Sequence, residues 1–350
     1  MLKETIPFVD LRGKTPVDLL RSYPDKARAI IDGVRRMYGA ASYVGSALIM
    51  PYADWRSKKL LLRGRSPYVH EVETIADILE LRGIYALNMC YEWACTSGVW
   101  RHDEAVSMLR VLDWPFPLLG KHTVVTCQQG IAGVFYNVTW PGMSGIYNAM
   151  APGRFCAAIN QAPMRKHKRG FALDWVSNRF EASQGKGMPP SHLLRMVFET
   201  APDYAHAKSM LEKTPLAVPA IFVLSGMIPG EGCVIERLES AYETRKLVAG
   251  LHVCTTNHFN GSFSKVGDGW WPREIDSAGR YRQAVTIGAH DLEQPDFDWL
   301  HAPVINANTR LAIVCNAATG TFMVQGYEGP AVVTNLFKLP PLGYETSQAV

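Results

Sequence analysis

The feature that most restricts the fold is a change of hydrophobic period near residue 94. Upstream, apolar side chains recur every three or four positions. Leu19, Leu20, Ala27, Ile30, Ile31 and Val34 do so over 16–37, and Val69, Val72, Ile75, Ala76 and Leu79 follow, with Gly83 as the expected stop. That recurrence builds helices with one apolar face. Downstream, the spacing shortens to β-rich runs at 122–127, 131–139 and 154–159, separated by Gly and Pro. Helical spacing returns over 191–211, where Pro202 is expected to split it in two. Strands are predicted at 220–224, 233–236 and 246–255, then a helix near 280–288. A closing hairpin of 311–315 and 322–326 ends the pattern. No Pro/Ser/Gly linker and no repeat of 20 to 50 residues interrupts it. A chain of 350 residues can form one large domain or two; here the pattern reads as a single α+β domain over 1–350, with stacked sheets and helical outer layers.

Composition removes several classes of function. With 36 basic and 32 acidic residues the formal net charge is +4, too small to imply nucleic-acid binding. The seven cysteines (90, 95, 127, 156, 233, 254 and 315) are odd in number and contain no C-x-x-C pair. A disulfide framework and a zinc ribbon are therefore unsupported, and reduced thiols are expected. The start of the chain lacks an apolar signal core, and no apolar stretch approaches the length of a membrane span, so a cytoplasmic protein is expected. The sequons at Asn137 and Asn260 then read as chance matches.

One segment carries chemistry. Cys95 follows the small residue Ala94 and precedes Thr96-Ser97, with Arg110 and Asp113 shortly downstream. A thiol becomes a nucleophile when a nearby cation favours the thiolate or a base takes its proton. Arg110 can supply the cation, and Asp113 can orient an amine base. A cysteine in an apolar run is otherwise ordinary core, and Arg110 with Asp113 would otherwise be a surface ion pair. His258 could pair with Cys95 in a papain-like manner, although an exposed strand-end histidine is the simpler expectation. The basic run 165–169 reads as a solvated loop, or as a contact for anionic lipid headgroups helped by Trp270 and Trp271.

The order of motifs resembles the N-terminal-nucleophile (Ntn) cysteine hydrolases of the acid ceramidase and N-acylethanolamine acid amidase group. Penicillin acyltransferases and choloylglycine (bile-salt) hydrolases are related to that group. The matching segments are Ile6-Pro-Phe-Val-Asp10-Leu, Cys95-Thr-Ser, Leu109-Arg110-Val-Leu-Asp113-Trp and Thr139-Trp-Pro-Gly through Ala151-Pro-Gly-Arg-Phe. They continue with Lys213-Thr-Pro-Leu, Glu231-Gly-Cys-Val-Ile-Glu-Arg237, Thr255-Thr-Asn257-His and Pro303-Val-Ile-Asn306.

The resemblance implies a four-layer αββα sandwich and a zymogen that cuts itself between Ala94 and Cys95. It would leave a helical small-subunit segment, 1–94, held to a catalytic segment, 95–350. Cys95 would then carry both the thiol and a free α-amine able to act as base near neutral pH. In the same reading Asp113 holds that amine, Arg110 flanks the thiol and the bound carbonyl, and Asn257 helps bind the oxyanion. Arg280 is the second arginine, with Arg282 a near alternative. The implied reaction is hydrolysis of an N-acyl amide with a fatty or aromatic acyl group, through an acyl-thioester. It needs no metal and no organic cofactor. The alternatives are an acyltransferase that passes the acyl group to a second amine, and a non-catalytic homologue binding lipid or a partner. Two departures stand out. Gln161 occupies the position where the family usually has Glu, which puts the family's acidic pH optimum and efficient self-cleavage in doubt. Gly98 replaces an aliphatic residue.

Overall fold

A computed structural model describes residues 3–37, 39–89, 93–247, 252–265, 269–271 and 275–339. In it the change of period becomes a change of layer. Before residue 94 the chain forms the helices Pro16–Ser22, Pro24–Met37, Gly39–Arg63, Val69–Leu79 and Ile84–Asn88, after one short strand, Phe8–Asp10. Prolines and helix ends correct the expected boundaries. The run 16–37 is two helices, because Pro24 has no N–H to continue the first and instead opens the second. Helix Val69–Leu79 stops four residues before Gly83, with Glu80 left-handed at φ 53°. Gly83, at φ 98°, starts the next helix instead.

Two sheets follow. In spatial order the first holds Phe8–Asp10, Val124–Gly130, Gly133–Thr139, Asn148–Ala151, Phe155–Gln161, Ala220–Ser225, Gly232–Arg237 and Tyr242–Lys246. The second runs His252–Thr255, Ala94–Arg101, Val106–Asp113, Thr309–Asn316, Thr321–Glu328 and Ala331–Val332. The strand expected over 246–255 is thus two strands in different sheets, and its middle, 248–251, lies outside the described residues.

The main core lies between the sheets, where Val99, Met108 and Leu112 of one meet Ala158, Ile221 and Val223 of the other. Helices Pro190–Thr200 and Tyr204–Lys213 add Leu194, Val197, Phe198 and Leu211 on the far side of the first sheet. Across the second sheet, Trp100, Leu109 and Val111 pack on Ala284, Ile287 and Trp299. This is the expected α+β sandwich. Among the described residues no helix is long and apolar enough to cross a membrane.

The departure at Gly98 has a steric cause. A Cβ there would sit 2.7 Å from the Trp100 ring and 2.8 Å from the Val253 carbonyl oxygen. The Trp100 indole is fixed in that place by a 2.7 Å hydrogen bond from Nε1 to the Ile287 carbonyl. A large ring has taken the room that an aliphatic side chain would need.

Candidate active site

The site is built on the hairpin Ala94–Arg101 and Val106–Asp113, whose register sets Cys95 opposite Leu112, Ser97 opposite Arg110 and Ala94 opposite Asp113. Strand alternation sends Cys95, Ser97 and Arg110 inward, toward the facing sheet. It sends Thr96, Val111 and Asp113 outward. The three-residue spacing that suggested an Arg110–Asp113 pair therefore puts them on opposite faces. Both are fully buried, so neither is a surface charge.

Arg110 spends one nitrogen on the facing strand. Its Nη1 donates to the Ile159 carbonyl and to Asn160 Oδ1, each at 2.6 Å. Its Nε and Nη2 have no hydrogen-bond partner. Burial pushes the guanidinium pKa down, and Cys95 and Asp113 act against that shift. Two unused donors and a charge thus sit beside a thiol. Burial in turn pushes the Cys95 thiol up to about 11, opposed by Arg110, Arg280 and the Gln161 backbone N–H, while Asp113 adds to the rise.

Asn257 and Arg280 hold the peptide on the other side of the sulfur. The Cys95 N–H donates to Asn257 Oδ1 at 2.8 Å, and the same oxygen accepts from Arg280 Nη2 at 2.8 Å. Arg280, on helix Ser277–Ala284, also donates to the Cys95 carbonyl and to Thr96 Oγ1. Arg282 is exposed, so Arg280 is the arginine at the site. Asn257 Nδ2 donates to the Gln161 carbonyl at 2.9 Å, which engages the donor that the oxyanion role requires.

Asp113 Oδ1 accepts from Thr309 Oγ1 at 2.8 Å. Its Oδ2 has no hydrogen-bond partner and lies 3.6 Å from Arg280 Nη1. Burial raises the Asp113 pKa, against Arg280 and the hydrogen bonds of Thr309 and Asn306. In the intact chain the Cys95 nitrogen is bonded to Asn257; Asp113 Oδ2 is a buried acceptor without a hydrogen bond, beside the Arg280 guanidinium. Gln161 touches the segment directly, its Oε1 accepting the Trp93 N–H at 2.9 Å.

All seven residues singled out in the sequence thus meet around one peptide bond. His258 does not join them. It is half-buried and its Nδ1 bonds Ser277 Oγ at 2.8 Å, so no papain-like pair forms. Cys127, Cys156, Cys233, Cys254 and Cys315 are buried free thiols, and Cys90 lies outside the described residues. Sequence reasoning missed Ser97, Asn160 and Thr309. The first two follow from reading 94–101 and 155–161 as facing strands, since alternation puts Ser97 on the cysteine's side. Thr309 had no local signal. Among the described residues no three His, Cys, Asp or Glu side chains cluster as metal ligands.

No family model matches the chain. The acid ceramidase of Heterocephalus glaber is 28% identical over 256 residues, covering 66% of this chain and 63% of that protein. The Homo sapiens acid ceramidase is 28% identical over 261 residues, covering 67% and 64%. The chain therefore spans less than two thirds of the length of these relatives. Among solved structures, the Caenorhabditis elegans N-acylethanolamine-hydrolyzing acid amidase ortholog superposes with a TM-score of 0.52. It is 18% identical, covering 70% of this chain and all of that one, and the likeness establishes a shared fold.

Proposed function

We propose that the chain is a self-processing Ntn cysteine amidohydrolase acting on an N-acyl amide with an apolar acyl group. The observation that carries this reading is the setting of the Ala94-Cys95 bond. The thiol, two arginines, an amide-holding Asn257 and an Asp113 oxygen without a hydrogen bond converge on it, all buried. Self-cleavage joins Cys95 Sγ to the Ala94 carbonyl carbon and breaks the bond to nitrogen. The thiol proton ends on that nitrogen, and water splits the thioester, leaving an Ala94 carboxylate and the restored thiol. The freed α-amine then meets Asp113 Oδ2 and acts as general base for the same attack on a substrate amide. Nucleophile and base share one residue, so bringing them together needs little ordering. The unused Arg110 donors are available to a carbonyl oxygen that gains charge beside the thiol.

Apolar side chains suited to an acyl group lie next to the site. Trp93 packs on Trp114 and Tyr147 at centroid separations of 5.2 and 5.1 Å. Beside Trp114, a small apolar cavity between the N-terminal helices and the sheets is lined by Ile30, Leu87, Leu119 and Trp140. The names of the similar proteins, acid ceramidase and N-acylethanolamine-hydrolyzing amidase, support a fatty acyl amide. A neutral, cytoplasmic setting remains part of the proposal. An acyltransferase uses the same thioester, and product analysis with a competing amine separates the two.

The wild-type chain should give two bands on a denaturing gel, the larger beginning at Cys95, and Cys95→Ala should stay whole. A panel of N-acyl amides and penicillin V, scored for amine release, reads the activity. An uncut wild-type chain that also resists thiol alkylators would falsify the proposal and leave the non-catalytic homologue.

A lipid surface is the proposed source of such a substrate. Trp270 and Trp271 pair with the strand of Met164 and Arg165, and Arg165 is bound to Glu239, so this part of the basic run is engaged. Beyond it, helix Phe171–Gln184 exposes Leu173, Trp175, Val176 and Phe180. The adjoining helix Gly39–Arg63 exposes Tyr52, Trp55 and Leu62. Arg56 lies over Phe180, Lys59 over Trp55 and Arg179 over Trp175. Aromatic side chains capped by cations suit an anionic bilayer interface. Trp175→Glu with Phe180→Glu should weaken sedimentation with phosphatidylserine vesicles by about tenfold or more, given the per-residue magnitudes of such contacts; unchanged sedimentation would refute the contact.

A further inference from the structure

We infer that Gln161 is a positioning residue for cleavage of the Ala94-Cys95 bond, gripping the chain on both sides of it through uncharged hydrogen bonds. The inference rests on the self-processing reading above. One residue makes two ties. Its side-chain Oε1 accepts the Trp93 N–H, one residue before Ala94. Its carbonyl accepts from Asn257 Nδ2, and Asn257 Oδ1 takes the Cys95 N–H. Gln161 ends the strand Phe155–Gln161 and is held in register opposite Ala220, so the grip is fixed to the sheet.

The neutrality of the side chain matters because the first step builds negative charge. The sulfur carries it as thiolate, then the Ala94 oxygen as the S–C bond forms. A carboxylate at 161 would still accept the Trp93 N–H, but it would set a like charge against both atoms. The titratable and charged groups nearest the segment that Gln161 holds are Cys95 and Arg110 from the hairpin, and Arg280 through Asn257. From the cleft that opens at Gln161 they are Arg165, Arg179, Glu181 and Glu239. Of these, Arg165 is already paired with Glu239 and Glu181. The chain is thereby built to process without waiting for acid to neutralise this position.

The test follows the full chain, recovered in denaturant and refolded at pH 4.5 and pH 7.5, by time-resolved denaturing gels. Q161E should cleave within about two- to threefold of the wild-type rate at pH 4.5, where about half of a carboxyl at its ordinary pKa is protonated. At pH 7.5 it should fall about tenfold or more below wild type. Q161L, which removes the acceptor, should be slower than wild type by about tenfold at both pH values. A Q161E to wild-type ratio that does not change with pH, or a Q161L chain that cleaves at the wild-type rate, overturns the inference. The Q161E ratio decides it if Q161L does not fold. A wild-type chain that never cleaves overturns the underlying reading instead, and with it this one.

Discussion

Arg110→Met is expected to lower the rate of self-cleavage, and kcat on an amide substrate, by about 10² to 10³, with the unfolding midpoint nearly unmoved. The two halves of this expectation come from different parts of the side chain. The rate loss comes from Nε and Nη2, which have no partner in the intact chain and are the donors available to a developing oxyanion. It comes also from the thiol. Arg110 is the largest influence opposing the burial that lifts Cys95 to about 11, so its removal should carry the thiol higher still. The small stability change comes from opposed effects. Burial pushes the Arg110 pKa below that of the unfolded chain, so the charged form weighs against folding at every pH below its folded pKa. Methionine removes that burden and fills the space, but it leaves the Ile159 carbonyl without its 2.6 Å donor. Asn160 Oδ1 keeps Ser97 Oγ at 2.8 Å. Burial relieved and an acceptor stranded are each on the order of 1–3 kcal/mol, so they nearly cancel. Urea titration beside single-turnover gels reads both halves. Rates at the parent level would sink the catalytic role, and a collapse of stability matching the rate loss would make Arg110 structural.

The same residue shows how much could be read without coordinates. Cys95, Arg110, Asp113 and Asn257 were legible because each sits in a short segment whose order along the chain resembles a known group, whereas Arg280 was told from Arg282 only by its burial. The period change at residue 94 was legible as physics, since helical and strand spacings cannot be exchanged. The hairpin itself was not. Its strands are buried on both faces, so Ala94–Arg101 and Val106–Asp113 show no polar alternation to mark them. Without the strand assignment, Arg110 and Asp113 read as partners, and Ser97 carries no signal of its own. Asn160 carries no sequence signal, yet it ties Ser97, Arg110 and the Thr256 carbonyl together. Such a role is set by which strands face one another, which local spacing does not encode. Gly98 likewise needed the Trp100 ring to be placed before its lack of a side chain had a reason.

Arg195→Met should destabilise the chain by about 3–5 kcal/mol and, once the chain is cut, let residues 1–94 come away from the rest. Arg195 lies on helix Pro190–Thr200 and joins both sides of the proposed cut. Its Nη1 donates to Glu71 Oε1 at 2.6 Å and to the Ser144 carbonyl at 2.9 Å, and its Nε to Glu199 Oε1 at 2.8 Å. Tyr68 completes the cluster, donating to Glu199 Oε2 at 2.6 Å with its ring centroid 4.0 Å from the guanidinium. Tyr68 and Glu71 belong to the N-terminal segment, Arg195 and Glu199 to the other. Burial disfavours the charge, but Glu71 and Glu199 outweigh it and hold the pKa above the ordinary arginine value. A folded pKa raised in this way stabilises the fold at every pH below the unfolded value, so the effect should be present throughout the neutral range. Methionine would leave two carboxylates facing each other with no cation between them. Nearby bonds span the same boundary, Ser66 Oγ to His192 Nδ1 at 2.7 Å and the Ser144 N–H to Asn88 Oδ1 at 2.8 Å. They are uncharged and cannot replace the lost ion pairs. In an uncut chain the two segments stay tethered, so the loss shows only as a lower urea midpoint. In a cut chain the same loss becomes dissociation. Size-exclusion chromatography of cut parent and variant distinguishes the cases, and co-elution with an unchanged midpoint would show that the apolar contacts hold the segments without the ion cluster.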